Sequence, residues 1–153
     1  MLGSGGNRKK DILQGIELKK LSLDQVKGMP RIGIINSLGI RREAASLRAL
    51  TGLAKDKDVR TAAAAIAAIG EIGSPQAAAI LRAFQQRASA SLDRTLTDSS
   101  LVCAERLLAA GQKGAAGRLY QSLNRPEQPP LIRAAVQRGM RLVEKTTNGK
   151  FGA

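Results

Sequence analysis

Residues 58–84 read DVRTAAAAIAAIGEIGSPQAAAILRAF. The stretch holds four consecutive alanines, Ala62 to Ala65, and few groups able to do chemistry. Its spacing predicts two helices. Val59, Ala63, Ile66 and Ile69 recur at steps of three and four, which places them on one helical face. Gly70 is expected to stop this helix. In the following GSP, Ser74 suits an N-cap and Pro75 a first helical position. A second helix is then expected to carry Ala77, Leu81, Phe84 and Ala88 on its apolar face.

The same plan occurs 31 residues earlier. That shift puts Ile35 on Ile66, Leu38 on Ile69, Gly39 on Gly70, Leu50 on Leu81 and Leu53 on Phe84. In the earlier unit Pro30 lies in the first turn of a helix whose face is Ile32, Ile35 and Leu38, with Gly39 as its expected stop. RREAASLRALTGLA (41–54) forms the partner helix, with Leu47, Leu50 and Ala54 on one face, and a polar KDKD turn follows. A third unit is longer. Leu92, Leu96, Ser99, Cys103, Leu107 and Ala110 define its first helix, and Gly111 is expected to play the helix-end role of Gly39 and Gly70. Its partner helix carries Ala116, Leu119, Tyr120 and Leu123. NRPEQPP breaks the chain, and a last helix uses Ile132, Ala135, Gly139 and Leu142.

Helix pairs at a fixed period indicate an all-α solenoid. One pair buries too little apolar surface alone, and stacking makes the core continuous. The expected organisation is a disordered N-terminus at 1–10, a repeat domain at 11–145 and a flexible tail at 146–153. The clearest units are 28–57, 58–88 and 92–124, with a final helix at 131–145. Before them, Ile12, Leu13 and Ile16 suggest a short helix, and Ser22 with Gln25 a capping box.

Composition agrees. Apolar residues make up 43% of the 153, but aromatics only 2%, so the core is built from Ala, Leu, Ile and Val. β-sandwiches and barrels draw more on aromatic and β-branched residues. Alanine lets helix axes approach closely and costs no side-chain entropy. A large polar residue at Ala63 is therefore expected to cost roughly 2–4 kcal/mol.

The chain is poor in reactive groups. It has no histidine, which removes His-based triads, bases and metal ligands. Cys103 is the one cysteine, so it has no internal disulfide partner and no CxxC mate. It sits in the apolar run SLVCAERLLAAG, where a buried structural thiol is expected, with Arg106 one turn away as the group able to activate it. Asp56 and Asp58 form a D-x-D pair with too few ligands for a cation, and Asp58 reads as an N-cap. GSGGNRKK lacks the spacing of a phosphate loop. Glu43, Glu71 and Glu105 are isolated, and Ser46, Ser74, Ser89 and Ser91 have no base nearby. No catalytic, cofactor or metal residue is assigned. Neither a secretory leader nor a transmembrane run is legible.

What remains is charge. Lys and Arg number 25 against 12 Asp and Glu, a net +13. Such an excess attracts polyanions through counterion release. Arg48 and Arg118 fall at equivalent positions of their units, with Arg82 one turn along its own helix. Arg41, Arg42, Arg87 and Arg125 lie near helix ends, and Arg138, Arg141 and Lys145 form a stripe on the last helix. These are the candidate binding residues, against a plain alternative of solvated charges with partial salt bridges. Few aromatics argue against base stacking, so a bound nucleic acid would be held by its phosphates.

PRIGIINSLGIRREAASLRAL and DVRTAAAAIAAIGEIGSPQAAAILRAF resemble HEAT repeats of the bacterial, phycobilisome-lyase-like type. The resemblance rests on Val59–Arg60 at the start of a first helix, Ala65 to Gly70 at its end, and Leu81 to Phe84 in the second. LVCAERLLAAGQKGAAGRLYQSL followed by LIRAAVQRGMRLV extends it to about residues 28–145. It implies a right-handed superhelix whose second helices line the concave face, where the arginines would form a positive groove. It also implies a non-catalytic scaffold for another protein or another domain of a parent chain. A nucleic-acid-binding module is the alternative. A lyase-like accessory role would need a tetrapyrrole site, and the sequence offers none. Met29 stands where the second unit has Arg60, no helix pair opens the array before Gly28, and the last helix is unpaired. These departures fit a fragment of a larger protein, or an array that self-associates through uncapped ends.

Overall fold

The structure, a computed structural model, describes residues 29–148. The helix expected around Ile12, the Ser22–Gln25 box, the Gly-rich start and the last residues of the tail lie outside them. The described residues form seven α-helices and no strand. They are α1 (Met29–Ile40), α2 (Leu47–Leu53), α3 (Val59–Ile72), α4 (Pro75–Gln85), α5 (Ala90–Ala109), α6 (Lys113–Leu123) and α7 (Pro130–Asn148). A 3-10 turn, Ala44–Ser46, leads into α2.

Odd-numbered helices are the first members of their units. They stack in order, with α3 between α1 and α5, and α7 touching α5. Even-numbered helices return alongside: α2 on α3, α4 on α3 and α5, α6 on α5 and α7. Ile35, Leu50, Ile66, Ile69, Leu81, Leu96, Leu107, Leu119, Leu123 and Val136 are fully buried in one continuous core. The molecule is an all-α solenoid.

Local signals explain where helices begin. The Asp58 carboxylate accepts from the Thr61 hydroxyl at 2.9 Å and from the Arg60 amide at 3.2 Å, capping α3. The Thr61 hydrogen bond is the main cause that holds this carboxyl below its ordinary pKa. Ser74 accepts from the Ala77 amide at 3.1 Å, and Pro75 opens α4. The helix expected from Arg41 starts only at Leu47, because Arg41–Glu43 turn the chain and a 3-10 turn follows.

Gly111 closes α5 as expected, but the stops of α1 and α3 differ from those expected. α1 runs past Gly39 and α3 runs past Gly70. Among the described residues, those in left-handed conformation are Arg42 (φ 52°), Gly73 (φ 62°) and Gly111 (φ 76°). After α1, the Arg42 amide donates to the Gly39 carbonyl at 2.9 Å and the Glu43 amide to that of Leu38 at 3.4 Å. After α5, Gly111 and Gln112 donate in the same pattern to Leu108 and Leu107 at 3.0 and 2.8 Å. This is the usual way of closing off orphan helix carbonyls. Arg42 and Gly73 are themselves one 31-residue period apart. The repeat thus includes its stop, with arginine standing where the next unit has glycine.

Gly39 and Gly70 have another purpose. A Cβ at Gly39 would lie 2.7 Å from Ala68 Cα, and one at Gly70 would lie 2.6 Å from the Ser99 carbonyl oxygen. They are the crossing points of successive first helices. Ala68 and Ser99 are also 31 residues apart, so the same contact is made twice in register. Gly111 does not belong to this set, since a Cβ there meets nothing within 4 Å.

Packing on several sides also rotates the expected faces. Val59 is 47% exposed and Ala63 only half-buried, whereas Ala62, Ala65, Ala68 and Ile72 are buried beside Ile66 and Ile69. α3 is held by four neighbouring helices, so its buried stripe is wider than one simple face. The enclosed alanine is Ala65, not Ala63. Ala110 is exposed at the end of α5. On α7 Leu142 is 47% exposed, Val136 and Gly139 are buried, and Ile132, Met140 and Val143 pack against the core beside them. A side chain at Gly139 would overlap the Tyr120 ring.

Candidate interaction surface

The one thiol is not a reactive group. Cys103 is fully buried, and that burial pushes its pKa up to about 12, with Arg106 pulling weakly the other way. Arg106 itself is engaged by Glu71. Among the described residues there is no group of three or more Cys, Asp or Glu side chains able to hold a metal ion. None of the described helices is long and apolar enough to cross a membrane.

The informative feature is how charge divides between the two rows of helices. Among the described residues, carboxylates within helices sit only on the first-helix row: Glu71, Asp93, Asp98, Glu105 and Glu144. Glu71, Asp93 and Glu105 meet arginines about one repeat away, whereas Asp98 meets Arg94 on its own helix at 3.8 Å. Glu71 pairs with Arg106 across α3 and α5. Asp93 meets Arg125 at 3.7 Å, Glu105 meets Arg138 at 3.9 Å, and Asp56 meets Arg31 at 3.3 Å. Each such surface pair contributes about 0–1 kcal/mol. Glu71–Arg106 and Glu105–Arg138 tie one unit to the next, while Arg31–Asp56 closes the first unit on itself.

The second-helix row is different. α2, α4 and α6 carry Arg48, Arg82, Lys113 and Arg118 and no carboxylate. Arg48, Arg82 and Arg118 are exposed, as is Arg87 just beyond α4. Among the described residues none of these four is in an ion pair.

The ten candidate residues therefore do not form one set. Arg48, Arg82, Arg87 and Arg118 stand on or beside the second helices. Arg125 and Arg138 are partners of carboxylates. Arg42 lines a depression of about 610 Å³ with Glu71, Glu105 and Arg106, on the first-helix side. Arg41 is exposed at the end of α1, and Arg141 and Lys145 are exposed on α7. Lys55 was not among the candidates. It joins Arg87 at a second depression, of about 280 Å³, between α2 and α4. In sequence it sits inside KDKD, where its aspartate neighbours conceal it.

First helices in a stack, second helices alongside and a period of 31 residues are the marks of one repeat type. A family model described as HEAT repeats matches residues 24–101, about half of the chain. The chain belongs to the HEAT-repeat family. The match covers α1 to α4 and ends inside α5, while α6 and α7 continue the same packing beyond it. HEAT repeats in general serve as protein-interaction scaffolds and are typically non-catalytic. No curated protein and no solved structure matches this HEAT chain.

Proposed function

We propose that this HEAT array is a non-catalytic scaffold that binds another protein, or another domain of a parent chain, through its second-helix row. One observation carries the reading: among the described residues, carboxylates are confined to the first-helix row and the loops, and the second helices carry only cations as charged groups. Exposed, unpaired arginines on successive second helices would supply steering and specificity toward an acidic partner. The Val59–Arg60 start of α3 and the Leu81 to Phe84 spacing of α4 support the phycobilisome-lyase-like type of HEAT repeat.

The test is a comparison of two charge reversals in the intact chain. Arg48→Glu with Arg82→Glu and Arg118→Glu should abolish stoichiometric recovery of a defined protein partner. Arg133→Glu with Arg141→Glu, on α7, should leave it intact. A partner insensitive to the second-helix reversal, or none in repeated recovery, counts against the reading. Duplex DNA binding whose affinity falls steeply with salt, with no protein partner recovered, would reassign the same cations to nucleic acid.

A further inference from the structure

The depression between α2 and α4 adds something that charge alone does not: an apolar floor. Ile80 and Phe84 pack against the core but stay partly open, and Ala83 beside them is exposed. Lys55 and Arg87 stand over this floor, and no carboxylate lines it. Among the described residues neither cation is in an ion pair. The two depressions on the first-helix side both contain Glu105, and one also contains Glu71. The α2–α4 groove is thus cationic and apolar at once.

That combination narrows the occupant. At about 280 Å³ the groove is slightly smaller than ordinary small-molecule sites, about 300–1,000 Å³, but it has room for a bulky side chain. A phosphodiester backbone would use the cations and leave the floor uncovered. Base stacking works best with a run of aromatic platforms, and Phe84 is the one ring here. A second copy of this chain brings the same net +13 and is repelled. A protein segment with acidic flanks and an apolar anchor satisfies both features, since anchors in pockets supply affinity and flanking charges supply register.

Resting on the scaffold reading above, we infer that the α2–α4 groove binds an acidic segment of the partner, with one bulky apolar side chain seated on Ile80 and Phe84 and flanking carboxylates paired with Lys55 and Arg87. The probe is a fluorescent glutamate-rich peptide with one central leucine, titrated against the full chain by anisotropy. Controls are the same peptide with central serine, a lysine-flanked leucine peptide and a duplex oligonucleotide. The leucine peptide should bind at least about tenfold more tightly than the serine peptide, from the apolar area it buries. The lysine-flanked peptide should not bind. Ala83→Glu, at an exposed helical position, should remove the leucine advantage while the melting temperature holds. Should that variant fail to fold, Lys55→Glu should weaken the leucine peptide at least severalfold. Equal binding of the leucine and serine peptides, or indifference to these substitutions, overturns the groove assignment. Preference for the duplex that is lost in Ala83→Glu overturns it too. If Arg48→Glu with Arg118→Glu still weakens binding in such a case, the second-helix reading stands without the groove. If those reversals also do nothing, both fall.

Discussion

Replacing Gly70 with alanine adds one methyl group where α3 crosses α5. The new Cβ would sit 2.6 Å from the Ser99 carbonyl oxygen and 3.0 Å from Ser99 Cβ, where ordinary contact begins at 3.4 Å. The helices must part by roughly 0.8 Å to admit it. The nearest opposing atom belongs to the backbone, so no rotamer change relieves the clash. Nor can α3 retreat, because Gly39 of α1 packs directly on Ala68 from the other side. Overpacking of this kind costs about 1–3 kcal/mol, and an immovable neighbour places this case in the upper half of that range. Helix propensity returns about 1 kcal/mol for glycine to alanine. The net expectation is a loss of about 1–2 kcal/mol. Gly33→Ala and Gly52→Ala are the controls. Both sites are helical and nothing lies within 4 Å of the added Cβ, so each should gain up to about 1 kcal/mol. Chemical denaturation followed by circular dichroism resolves differences of this size. In a melt each kcal/mol moves the midpoint by roughly 3–6 °C for a domain of this length. If Gly70→Ala is stabilised like the two controls, close approach is not why glycine stands there.

Arg42→Gly should raise stability by about 0.5–1 kcal/mol, since a left-handed arginine costs about 1–2 kcal/mol and glycine returns part of that through its unfolded-state entropy; denaturant midpoints check this. Ala65→Gln should cost about 2–4 kcal/mol, and Ala63→Gln much less, because only the first is fully enclosed; a pair of thermal melts separates them. Cys103 should resist thiol reagents at pH 8 in the native state and react at once in denaturant. The folded thiol keeps its proton up to about pH 12, while the unfolded one loses it near 9.0. Stability should therefore be fully present below pH 9 and fall as pH rises from there toward 12, by at most about 1.4 kcal/mol per pH unit. Cys103→Ala should show a shallower decline in urea titrations above pH 9, with the remainder including that of Tyr120, whose pKa burial also raises.

The 31-residue echo was legible because the positions that carry it are core positions: Ile35, Leu50, Ile66, Ile69 and Leu81 are all fully buried. Gly39 and Gly70 were visible in the echo, but their role was not. Glycine serves both to end a helix and to let another backbone come close, and only the neighbouring helix distinguishes these. The stop at Arg42 was hidden for the opposite reason, since arginine carries no sign of a left-handed backbone. Charge was legible as an inventory only. Nothing local to Glu71 announces Arg106, 35 residues on, which the stack brings beside it. Lys55 and Arg87 meet across one groove only because α2 and α4 run alongside the same first helix.

The crossings at Gly39 and Gly70 also give the stack a direction. α3 presents Ala68 to the unit before it and offers Gly70 to the unit after it. Residues 40–70, beginning after one glycine and ending on the next, are one period of this junction. α5 receives the contact through Ser99 but has Leu101 where the next bare backbone would fall. The series of identical junctions stops there. α7 joins by a different fit, its Gly139 laid against the Tyr120 ring of α6.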